Sequence, residues 1–187
     1  MAVIEARIAP FIRKVFTITG TQYHYSGSGD PHGGLDLSTG FKDDLYSMVN
    51  GKVLSVVHNH SSYGNYIIIQ DTTTGDSFLY AHMDRIEVVQ NQQISMGQLV
   101  GVEGATGNVT GIHVHLELQY HTPGESWTWN VPYDQRPNVA EYLGLTNTQG
   151  LQAIYYGTPV PPTPTDRQKH KFPWYLVIAR KKRRGEL

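Results

Sequence analysis

His113-Val114-His115-Leu116-Glu117-Leu118-Gln119 alternates polar and apolar residues without a break. On an extended strand successive side chains leave on opposite faces. His113, His115, Glu117 and Gln119 therefore share one side, and Val114, Leu116 and Leu118 share the other. The pattern predicts a strand over 113–120 with one core-facing side. It also sets two imidazoles side by side, where they can converge on a metal ion or a bound substrate. A half-buried strand with two solvent-facing histidines satisfies the same pattern.

Outward from this stretch the chain keeps a short period. Apolar runs at 51–58 (GKVLSVVH), 65–71 (NYIIIQD), 77–82 (SFLYAH) and 98–102 (QLVGV) are separated by polar or glycine-bearing turns, and 72–76 reads as a hairpin loop. Nineteen glycines and ten prolines are spread through the chain, with no long run at helical spacing. One short helix is predicted over 138–145, after Pro137 and ending at Gly144. The fold class is mainly β, with a short peripheral helix.

The formal charge of −1 conceals an asymmetry. From Arg167 onward eight basic residues face one acid, a net +7, whereas the first 166 residues carry seven basic residues against fifteen acids, a net −8. Between these parts, 158–166 (TPVPPTPTD) holds four prolines and reads as a semi-rigid linker. The divisions are thus an N-terminal extension over 1–19, a domain over 20–157, the linker, and a basic-aromatic tail over 167–187. With no cysteine, the chain has no disulfide, thiolate metal site or cysteine nucleophile. The apolar run at 174–179 is far shorter than the ~20 residues that span a bilayer, and residues 1–16 contain no uninterrupted apolar core of a signal peptide.

Further chemistry-bearing residues are scattered. His32-Gly33-Gly34-Leu35-Asp36 offers an imidazole and a carboxylate, with glycines that let backbone come close enough for both to reach one ion. Taken alone, His32 can equally cap a turn and Asp36 bond a loop. His82 ends a predicted strand, where functional side chains often emerge. His58-Asn59-His60 is a second His-x-His, with no carboxylate motif nearby, and reads first as a surface loop and second as a substrate rim. His121, beside Pro123-Gly124, reads as exposed; Tyr23 and Tyr25, on a Gly/Ser-rich lead-in, read first as incidental aromatics of a surface loop and second as rims of a cleft.

Together these motifs resemble the LytM/lysostaphin-type zinc endopeptidases of peptidase family M23. The resemblance is carried by His32-Gly33-Gly34-Leu35-Asp36 for the family's HxGxD, by Tyr80-Ala81-His82-Met83, and by His113-Val114-His115 for its HxH. Gly51-Lys52-Val53, Tyr63-Gly64-Asn65-Tyr66 and the glycine-rich 97–111 follow in the family's order, so the resemblance covers roughly 20–120. One departure is Gly107-Asn108-Val109-Thr110-Gly111-Ile112, where many members have a Ser-Thr-Gly-Pro-type stretch.

The resemblance implies a small antiparallel β-sheet domain with a groove holding one Zn²⁺. It implies His32, Asp36 and His115 as zinc ligands, and His82 and His113 as unliganded catalytic histidines. Three protein ligands leave a tetrahedral position open, as in catalytic zinc sites. The implied activity is hydrolysis of peptidoglycan cross-bridges or stem peptides, at the cell wall or associated with a virion. The competing reading is a non-enzymatic wall-binding, scaffold or activator module. For the tail, basic charge with Phe172, Trp174 and Tyr175 fits an anionic envelope polymer or docking into a virion assembly. Nothing in it is a nucleic-acid-binding signature.

Overall fold

A computed structural model describes residues 2–25 and 29–157; the proline-rich linker and basic tail lie outside the described residues. In the N-terminal half the strands are β1 (Ile4–Glu5), β2 (Val15–Gly20), β3 (Tyr23–His24), β4 (Pro31–His32), β5 (Leu35–Ser38), β6 (Asp44–Tyr46) and β7 (Gly51–His60). They are followed by β8 (Gly64–Asp71), β9 (Ser77–Ala81), β10 (Arg85–Ile86), β11 (Gln93–Ile94), β12 (Leu99–Val102), β13 (Val114–Gln119) and β14 (Gln152–Ile154). Nine of these form one sheet in the order β1-β14-β2-β5-β13-β9-β8-β7-β11, antiparallel except where β1 meets β14. A three-stranded sheet, β10-β12-β6, and the β3-β4 pair complete the fold. It is a mainly β domain with one short helix.

The strands predicted at 51–58, 65–71, 77–82, 98–102 and 113–120 all appear, shifted by two residues or fewer at their ends. The 72–76 turn joins β8 to β9 and is closed by the Gly75 amide donating to the Asp71 carbonyl at 2.8 Å. The helix is shorter than predicted, α1 (Val139–Tyr142), with Asn138 as its cap accepting from the Glu141 amide.

Alternation divides the sheet into two faces. Phe16, Ile18, Leu35, Leu37, Ile67, Ile69, Phe78, Tyr80, Val114, Leu116 and Leu118 fill one core. Val139, Leu143 and the segment holding Ile8 and Phe11 cover that face. The first nineteen residues, set apart in the sequence as an extension, thus contribute two strands to the sheet and Phe11 and Phe16 to its core. The other face carries Asp36, Ala81, His115 and Glu117. Every residue of β13 is buried, so His115 is not solvent-facing, while His113, just before the strand, is half-buried.

Candidate metal centre and its cleft

Register brings the donors together. β13 pairs with β5 so that His115 stands opposite Asp36, and on its far edge β5 sets Asp36 opposite Gly20 of β2. β4 delivers His32. The Oδ1 atom of Asp36 lies 2.8 Å from Nδ1 of His115 and 3.2 Å from Nε2 of His32, and those two nitrogens are 3.1 Å apart. Tetrahedral zinc with bonds of about 2.0–2.1 Å needs ligand atoms about 3.3 Å apart, so this buried His/His/Asp set fits one such ion with little movement.

Glycines make the approach feasible. A Cβ on Gly34 would overlap the Leu116 carbonyl and sit 2.8 Å from Nε2 of His115, and one on Gly20 would overlap the Asp36 carboxylate.

Each imidazole is aimed by what its other nitrogen holds. Nδ1 of His32 donates to the Thr21 carbonyl at 2.7 Å, which leaves Nε2 toward the centre. Nε2 of His115 lies 3.2 Å from Oε1 of Glu117, which leaves Nδ1 inward. Glu117 is itself anchored, accepting from the Tyr63 hydroxyl at 2.8 Å and pairing with Arg136 at 2.5 Å. Arg136 also donates to the carbonyls of Val131 and Gly33 and stacks over the Tyr133 ring.

The electrostatics follow from this packing. Burial alone would raise the pKa of Asp36, but the bonds from His115 and His32 hold it well below the carboxylate range. For His115 burial works against the charged ring, yet the carboxylates on either side raise it to about 9. Loading the centre with metal must therefore expel a proton from that ring.

His82 and His113 stand beside the donor set. Nε2 of His113 is 3.7 Å from Oδ1 of Asp36, and its Nδ1 donates to the Gly111 carbonyl at 3.0 Å. The rings of His82 and His113 are 4.8 Å apart, and Nδ1 of His82 donates to the Thr106 carbonyl at 2.9 Å. Burial, with the neighbouring imidazoles of His115 and His113, pulls His82 down to about 4, and burial also lowers His113. Both rings are consequently neutral near pH 7, with the proton on Nδ1 and Nε2 as acceptor. His82 sits at φ 62°, a left-handed strand end of the sort that clusters at functional sites. The structure thus gathers His32, Asp36, His82, His113 and His115 in one place.

Several neighbours were ranked second in the sequence reading or escaped it. Tyr25, read first as incidental, stacks on His32 with ring centroids 4.0 Å apart. His60 joins Tyr63, Tyr66 and Trp129 in lining an open cavity of about 710 Å³, so the second His-x-His does reach the cleft through that one residue. His121 is buried, its Nε2 2.9 Å from Oε1 of Gln119, a correction to its exposed reading. Alternation had already placed Glu117 on the His115 side, whereas nothing local marked Arg136 or Trp129.

Comparison with known proteins agrees with this geometry. The model of peptidase family M23 matches residues 30–126. Over 88 residues the chain is 39% identical to the peptidoglycan DD-endopeptidase ShyB of Vibrio cholerae, a match covering 47% of this chain and 20% of that protein. It is 27% identical over 99 residues to the murein hydrolase activator NlpD of Salmonella dublin, covering 52% of this chain and 25% of that one. The chain thus spans only about a fifth to a quarter of the length of these curated relatives. Among solved structures, the catalytic domain of the prophage-encoded M23 protein EnpA of Enterococcus faecalis aligns with a TM-score of 0.55 at 26% identity, over 66% of this chain and 98% of that one. The catalytic domain of lysostaphin from Staphylococcus simulans shares the fold, with a TM-score of 0.54 at 19% identity over 69% and 91% of the two chains. With the family model matched over more than half its length and the motifs on one sheet face, the chain belongs to peptidase family M23, of the LytM/lysostaphin type.

Proposed function

We propose that the chain is a zinc endopeptidase that hydrolyses peptide bonds in bacterial peptidoglycan, in cross-bridge or stem peptide. The observation that carries this reading is the convergence of Nε2 of His32, Oδ1 of Asp36 and Nδ1 of His115 beside two neutral imidazoles whose Nε2 atoms can accept protons. The names of the relatives, peptidoglycan DD-endopeptidases among them, supply the substrate class.

Held by His32, Asp36 and His115, a zinc ion would supply a Lewis acid and would bring the pKa of a bound water down to ~7. His113 is the proton acceptor, because the Gly111 carbonyl holds its proton on Nδ1 and leaves Nε2 facing the donor set. His82 in its neutral form is likewise an acceptor at Nε2. It can donate to a developing oxyanion or a leaving amine only after it has taken up a proton. Tyr25, packed on His32, shields that ligand from solvent.

The competing reading is a non-enzymatic wall-binding, scaffold or activator module, and the similarity to an activator gives it substance. Against it stands the complete His/Asp set, which such a module has no chemical need to retain. The deciding experiment measures zinc content and release of new amino groups from purified cell walls on one preparation, with His115→Ala as control. Zinc bound without amine release from walls of several cross-bridge chemistries would favour the non-enzymatic module. Within the hydrolase reading the protein works at the cell wall or on a virion, and the basic tail holds an anionic envelope polymer or a virion partner. Deleting residues 167–187 is then expected to reduce salt-sensitive sedimentation with walls and to spare cleavage of a soluble peptide.

A further inference from the structure

The cavity walled by Tyr63, Tyr66 and Trp129 neighbours the metal centre through Tyr63. The Tyr63 ring lies 5.9 Å from that of His115, and its hydroxyl holds Glu117. Trp129 meets Tyr63 at 5.9 Å and Tyr66 at 6.0 Å, tilted or edge-on, so the three rings fix one another's planes. Trp129 nevertheless remains 45% exposed, a large aromatic surface left open to solvent. The volume of about 710 Å³ is within the usual range of ligand sites.

Charge decides what such a pocket can hold. Among the described residues Arg136 is the one permanently charged member of its lining, and it is engaged by Glu117, by two backbone carbonyls and by the Tyr133 ring. Among the described residues no carboxylate lines the wall. At the rim Nδ1 of His60 accepts from the amides of Ser62 and Tyr63, which puts the proton of the neutral ring on Nε2, and Asn130 adds a side-chain amide. The surface is therefore mainly aromatic, its one guanidinium already paired with Glu117, with hydrogen-bonding groups at its edge. Stem peptides of peptidoglycan carry free carboxylates and amines, which need counter-charges that this wall lacks. An N-acetylated pyranose offers an apolar C–H face to stack on an aromatic ring, together with hydroxyl and amide groups for the rim.

We infer that this cavity is a glycan subsite, in which an N-acetylated sugar of the wall strand stacks on Trp129 while the attached peptide reaches the metal centre. The inference rests on the hydrolase reading for its substrate and extends it from the peptide to the strand that bears it.

The test compares two soluble substrates made from the same walls: a cross-linked peptide dimer still bearing its N-acetylated disaccharides, and the same dimer stripped of sugar by an amidase. Wild-type protein is expected to prefer the sugar-bearing dimer, and Trp129→Ala to lower that preference, the ratio of the two kcat/KM values, about tenfold, chiefly through KM. Trp129→Phe, which keeps an aromatic face, should retain most of the preference and guards against a folding defect in the alanine variant. In parallel, a β-1,4-linked N-acetylglucosamine oligomer is titrated by tryptophan fluorescence. Saturable quenching in the wild type that is lost in Trp129→Ala supports the subsite even if neither dimer is cleaved, an outcome that would sink the hydrolase reading alone. Equal cleavage of both dimers with no oligomer binding overturns the glycan subsite and leaves the hydrolase standing.

Discussion

Glu117 stands directly behind His115, its Oε1 3.2 Å from Nε2, while Oδ1 of Asp36 takes the opposite edge of the ring at 2.8 Å from Nδ1. A carboxylate behind a metal-binding imidazole fixes its orientation and raises its basicity, and losing it typically weakens metal binding about 10–100-fold. Glu117→Gln is expected to fall in that range by chelator competition, with its circular dichroism unchanged. Glu117→Ala additionally strands the buried Arg136 guanidinium and should cost about 3–5 kcal/mol in urea unfolding. Wild-type zinc affinity in Glu117→Gln would show that His115 needs no such support.

His113 touches the centre without belonging to the donor set, so His113→Ala should separate binding from turnover. Zinc stoichiometry is expected to stay at the wild-type value while kcat on cell walls drops about 10²–10⁴-fold, the span attributed to one positioned general base. Full activity with zinc retained would remove His113 from the proton-transfer role and leave His82 to fill it.

Glu103 offers a pH test away from the metal donors. It is fully buried and accepts from the Thr39 hydroxyl at 2.8 Å, and burial raises its pKa to about 7 despite the bonds from Thr39 and Ser38. Between the ordinary value of 4.5 and about 7 the folded chain therefore holds a proton on this group that the unfolded chain has lost. Its contribution is complete below that window, declines as pH rises through it, and stays flat above. Glu103→Gln, which cannot titrate, should gain about 1–3 kcal/mol on the wild type between about pH 5 and about pH 8 in chelator-treated samples. A constant difference in urea midpoint across that range would rule this linkage out.

Phe16 tests whether the first nineteen residues are structural. Its ring is buried 5.6 Å from that of Phe11, on the strand that pairs with β5 beside Asp36. Phe16→Ala should cost about 3–5 kcal/mol and depress Tm accordingly. A solvated extension would show no change.

These residues also show where sequence reasoning stopped. β13 was readable because strict alternation over seven residues has one economical explanation, and the His/Asp constellation followed from family resemblance. What lies opposite what was not readable, since His115 meets Asp36 across 79 residues of sequence and Glu117 meets Arg136 through a loop without periodicity. β2 carried a signal of its own, with Phe16, Ile18 and Gly20 alternately buried. Its pairing partners, however, are β5 and a strand more than 130 residues onward, and a six-residue run after Arg13-Lys14 reads as an extension without them. His121 failed for a different reason: the adjacent Pro-Gly is surface turn chemistry, yet the ring turns inward and is buried against Oε1 of Gln119.

The placement of Asp36 and His115 on neighbouring central strands has a mechanical consequence. An ion shared by the two closes a ring of 79 residues, and a covalent cross-link of that span would remove roughly 4–5 kcal/mol of denatured-state entropy. In a chain without cysteine, the same three side chains that would hold the reactive ion would also act as a reversible staple, so that chelation would loosen the scaffold as well as silence the site.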